Sequence, residues 1–108
     1  MSNQDDTKKS KEEEQAQQGR MYLQFEAAKR LYAAHRLLVN APPLNGEKIV
    51  NFLNQTLMEF KAAGGDAKTG TDGFGERGPV LALENGDVIS YEAGRMLAQD
   101  YISRGIFR

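Results

Sequence analysis

Residues 20–63 read RMYLQFEAAKRLYAAHRLLVNAPPLNGEKIVNFLNQTLMEFKAA, and this stretch decides the fold. Met21, Phe25, Ala28, Tyr32, His35 and Val39 recur at steps of three and four, the spacing of one helical face. Leu23, Ala27, Leu31, Ala34 and Leu38 trace a second stripe beside it. Together they make an apolar face wider than a surface helix needs, so this helix is either central to the fold or covered by a second chain. Asn40-Ala41-Pro42-Pro43 ends it, because residues before proline avoid the α region. Asn45 caps a second helix reaching about residue 63, with Ile49, Val50, Leu53, Leu57 and Phe60 as its inward stripe. Gly64 is placed to end it in the left-handed conformation. The short link between the two favours an antiparallel helical hairpin.

Downstream, residues 64–78 (GGDAKTGTDGFGERG) hold six glycines in fifteen positions and show no periodicity. A loop of this length is functional or disordered more often than structural. Val80 to Glu84 and Val88 to Tyr91 then flank Asn85-Gly86, the strongest short signal for a two-stranded hairpin, whose two positive φ angles predict a type I′ turn. A last helix over about 92–104 carries Ala93, Met96, Leu97 and Tyr101 on one face and stops at Gly105. Upstream, residues 1–19 contain no aliphatic side chain beyond Met1 and Ala16. Such a segment cannot bury enough apolar surface to offset the entropy of ordering its backbone. The expectation is an α+β chain ordered α-α-β-β-α: a disordered charged tail over 1–19, then one small domain over 20–108. Ser10-Lys11-Glu12-Glu13 has the form of a capping box, so a fraying helix is expected within the tail at best.

Composition narrows the chemistry. The chain of 108 residues has no cysteine, which removes disulfides, thiolate nucleophiles and zinc–cysteine sites. It has no run of about 18 apolar residues and a polar beginning, which points to the cytoplasm. The net charge is −1, and residues 21–108 carry ten charges of each sign, so the basic excess usual in a nucleic-acid binder is missing.

Gly73-Phe74-Gly75-Glu76-Arg77-Gly78 matches the G-x-G-x-x-G dinucleotide pattern, yet it follows a loop and opens a strand instead of opening a helix. With Pro79-Val80 it also fits the glycine-rich loop of kinases, but no lysine stands on the next strand and no catalytic loop has room downstream. Lys68-Thr69 lacks the preceding glycine of a P-loop. No cofactor or metal is expected. His35 is the only histidine and has neither a nucleophile nor enough co-ligands around it in sequence, which suits a histidine packed at the edge of the helix face with one hydrogen bond.

Nothing assembles into an active site, and no enzyme is expected. The reading that remains is a non-enzymatic protein-interaction module: a small adaptor, regulator or assembly component of the phage, plasmid or bacterial accessory type. The marginal stability of a lone hairpin and the overwide first helix favour a homodimer. Partner contacts are assigned to Phe74, Arg77 and Lys68 in the glycine-rich loop and to Ile106 and Phe107 at the end of the chain. The alternative is a nucleic-acid-binding regulator using the helical pair and the hairpin, against which stands a helix link unlike a helix-turn-helix.

Overall fold

The computed structural model describes residues 3–40, 44–68 and 80–108, with side chains in the first helix from Lys11 to Val39. The elements are α1 (Asn3–Asn40), α2 (Gly46–Ala62), β1 (Asp66–Lys68), β2 (Val80–Ala82), a short 3-10 turn (Tyr91–Gly94) and α3 (Arg95–Arg104). The fold is α+β with the expected order of two helices, two strands and a helix. No helix among the described residues is long and apolar enough to cross a membrane.

α1 is the axis of the molecule. Leu31, Tyr32, Ala33, Ala34 and His35 are all buried, and five consecutive residues cover every direction around a helix. Over these five residues the width of its apolar face is satisfied within the chain. One cluster joins Ala27, Ala28, Leu31 and Tyr32 to Phe60, Leu81 and Ile89. The other joins Ala33, Ala34 and Leu37 to Ile49, Leu53, Ala98 and Phe107. Small alanines on α1 let its neighbours come close. A Cβ built on Gly94 would stand 2.5 Å from the Ala33 nitrogen.

The sequence places Phe25 in the core, whereas it is 37% exposed, and Leu23, Leu38 and Val39 are exposed as well. Gln24 is buried instead, because the polar end of α2 and the turn after β2 lie there, and only an amide can bond to both. Helical backbone also continues through the charged segment where a separate tail is expected. From Lys11 to Arg20 only Gln17 is even partly covered. That stretch adds nothing to the core, so burial, and not helix, begins near residue 20.

Both later helices end as their glycines suggest. Gly64 (φ 102°) and Gly105 (φ 66°) adopt the left-handed conformation. At each end, two amides turn back to the last carbonyls: Gly64 to Lys61 and Gly65 to Phe60, then Gly105 to Ile102 and Ile106 to Tyr101. At the other end of α2 the Asn45 side chain accepts from the Lys48 amide at 3.2 Å.

The strands differ from expectation. β2 pairs antiparallel with β1, in the register Asp66↔Ala82, Ala67↔Leu81 and Lys68↔Val80. The expected return strand after Asn85-Gly86 is reduced to a single bridge, Ala82↔Val88. The cause is a hydroxyl from α1. In a regular ladder Leu81 and Ile89 would exchange both backbone hydrogen bonds. Ile89 N–H does donate to the Leu81 carbonyl (2.8 Å). In place of the reciprocal bond, Leu81 N–H donates to the Tyr32 hydroxyl (3.1 Å), which donates on to the Ile89 carbonyl (3.2 Å). One side-chain oxygen is thus inserted into the ladder and holds it open.

The turn is also of another kind. Gly86 N–H returns to the Leu83 carbonyl and Leu83 N–H to that of Asp87, with Gly86 at φ 96° and no non-glycine residue at positive φ among the described residues. This is a three-residue connection and not the two-residue type I′ turn. Asn85 contributes through its side chain, whose Oδ1 accepts from the Asp87 amide at 3.0 Å.

Candidate functional site

The residues assigned to partner contact do not form one surface. Phe74, Arg77 and the glycine motif lie outside the described residues. Lys68 is exposed at the end of β1, over the first core cluster, while Ile106 follows α3 beside the second and is 42% exposed. Phe107 is buried, against its assignment to partner contact. Its ring meets Phe52 (5.5 Å) and Tyr101 (5.7 Å) edge to face, and its carbonyl accepts from the Asn45 amide at 2.6 Å. Phe107 thereby completes a trio of rings with Phe52 of α2 and Tyr101 of α3, which also meet each other edge to face (5.6 Å).

Two polar ties fasten α1 to the segment 81–92. In the first, the Arg20 guanidinium grips the Glu84 carboxylate through Nε (2.9 Å) and Nη2 (2.8 Å). The Gln24 amide donates to Glu84 (2.8 Å) and to the Ala63 carbonyl (2.9 Å) and accepts from the Glu84 amide (3.0 Å). Bonding to Arg20 first, and to Gln24 next, lowers the Glu84 pKa to about 2.

The second tie uses Tyr32, His35 and Arg36, one turn of α1. His35, fully buried and not at the edge of the helix face, bonds through Nδ1 to the Tyr91 hydroxyl at 2.8 Å. Arg36 lies over the Tyr91 ring at 4.9 Å and reaches Glu92 at 3.4 Å. Burial raises the Tyr91 pKa, partly opposed by the Arg36 charge.

These groups are spent on the fold. No buried side-chain nitrogen or oxygen among the described residues lacks a partner, and no three histidines or carboxylates among them gather as a metal would require. What remains open is surface. Where α1 leaves the domain, Tyr22 (64% exposed), Leu23 and Phe25 form an apolar belt within four residues. Further along, Lys29 on α1 faces Glu92, Ala93, Met96, Leu97 and Asp100 across a shallow groove. Met96, which the sequence places on the inward face of the last helix, is 82% exposed at the lip of that groove. Ala98 takes the buried position instead, in the cluster with Ala33, Ala34 and Leu37 of α1. The periodicity of α1 marks its apolar side chains but does not tell the enclosed turns from the projecting ones. No family model, curated protein or solved structure matches the chain.

Proposed function

We propose that the chain is a non-enzymatic protein-interaction module of the cytoplasm, an adaptor, regulator or assembly component that works by presenting surface. The observation that carries this reading is the apolar belt of Tyr22, Leu23 and Phe25 where α1 emerges from the domain. Single exposed apolar residues are ordinary, but aromatic side chains grouped on an open surface are characteristic of interface cores. The groups that could do chemistry, His35, Glu84 and Tyr91, are held by internal partners. A nucleic-acid surface has less support, since Arg20, Lys29, Arg30, Arg36 and Arg104 each sit against a carboxylate.

The test is a photo-crosslinking residue at position 22, with position 54 on the outer face of α2 as control. Irradiation in the source cell should give a protein adduct from position 22 that is lost on Leu23→Ser. Mixed DNA and RNA at low salt should show no mobility shift. Adducts to nucleic acid alone, or the same adducts from both positions, would refute the reading.

A further inference from the structure

We infer that the groove between α1 and α3 is filled by a second copy of this chain, an inference that rests on reading the chain as an interaction module and names its partner. The groove has a polarity across its width. Its α1 wall carries Lys29, whose ammonium lies 5.5 Å from the centre of the Phe25 ring. Its opposite wall carries Glu92 and Asp100, and Ala93 and Leu97 lie between, with Met96 standing out at the lip. A partner of a single sign is repelled by one wall whichever way it lies. The partner that fits is apolar along its middle and carries both signs in mirrored order.

A second copy meets that requirement by construction. In a two-fold dimer each patch packs on itself, and a residue on one side of the axis meets the residue on the other side in the second copy. With the axis along the groove, each Lys29 stands opposite the second copy's Asp100 and Glu92, and each Met96 enters the floor of the other groove. The bonds that now hold Lys29 and Asp100 are local and partly exposed, to Glu26 at 3.2 Å and to Arg104 at 3.2 Å, while Glu92 keeps its bond to Arg36 at 3.4 Å. Surface pairs of this kind contribute little and exchange readily. Nothing in α1 or α3 must unfold or turn for the two copies to meet.

The experiment is sedimentation velocity on the full chain, over a concentration series reaching several hundred micromolar. The wild type should pass from monomer to dimer. Met96→Glu, at a side chain exposed enough to leave the fold intact, should abolish the dimer. Lys29→Glu and Asp100→Lys should each weaken it roughly tenfold, and mixing those two variants should restore association, because each then supplies the charge the other lacks. Circular dichroism and the thermal midpoint establish that each variant is folded. A wild type that stays monomeric throughout would overturn the inference, while a position-22 adduct with another protein would leave the interaction reading standing. A dimer indifferent to Met96→Glu and to charge mixing would show that the copies meet elsewhere, and would overturn it equally.

Discussion

Replacing Tyr32 by phenylalanine removes one oxygen atom and tests the most unusual contact in the fold. The ring stays, with its edge-to-face contact to Tyr91 at 5.2 Å. The Leu81 amide loses its acceptor and the Ile89 carbonyl loses its donor from α1. Leaving a buried backbone group unpaired costs about 1–3 kcal/mol, so two such losses total about 2–6 kcal/mol if the strands keep their places. The strands can also close the gap and form the missing Leu81–Ile89 bond directly. They must then approach by the width of the departed oxygen, against Tyr32 and Leu81 packed in the same core. A close-packed interior resists that movement. The expected result is a loss of about 2–4 kcal/mol in urea unfolding, with unchanged m-value and faster amide exchange at Leu81. Wild-type stability together with a protected Leu81 amide would mean that the ladder closes freely and that the hydroxyl is not what opens it.

Gly94→Ala should destabilise by about 1–3 kcal/mol or more, although alanine favours helix, because its methyl would collide with α1 backbone that cannot move aside; equilibrium unfolding measures it, and a stabilised variant would contradict the close approach. Phe107→Ala should cost about 3–5 kcal/mol and Phe25→Ala about 1 kcal/mol or less, reversing what the sequence alone suggests for Phe25; similar losses in a thermal melt would put both rings in the core. Glu84 has a folded pKa of about 2 against 4.5 ordinarily, so its stabilising contribution is complete above about pH 4.5 and is lost as the pH falls toward 2. The stability difference between wild type and Glu84→Gln should therefore shrink through that window, and a constant difference would show that the carboxylate charge is not what Arg20 and Gln24 hold.

How much of this was legible depends on the range of the interaction. The caps of α2, its stripe and the stop at Gly105 are written within a few neighbouring residues and follow from local backbone rules. β1 was not legible: Asp66-Ala67-Lys68 has no strand composition, and it becomes a strand only because β2 lies beside it. Asn85-Gly86 marks a turn, but the reduction of the return strand to a single bridge was settled by a distant hydroxyl, that of Tyr32 on α1, which takes the place of one ladder bond. Gln24 was invisible for the same reason, since its three hydrogen bonds go to Ala63 at the end of α2 and Glu84 in the turn after β2. The apolar spacing of α1 announced a helix that needed covering on more than one side, and it could not say that the same chain would cover it. At Phe107 the pattern showed two large residues that must be hidden, and only the space between α2 and α3 chose which one.

The enclosure of α1 divides its length into two regimes of sequence drift. At positions 31–35 no direction around the helix is free, and at Ala27, Ala28, Ala33 and Ala34 any added volume separates layers that now touch. Charge and bulk are both barred there. From Lys11 to Leu23 the helix has open water around most of its circumference, and what the fold asks of it ends with Arg20. Within a single unbroken helix, then, tolerance to substitution should fall abruptly across about one turn at Gln24. The N-terminal part can change almost wholesale to suit whatever it meets, while the part beyond that turn stays fixed by the size of a methyl group.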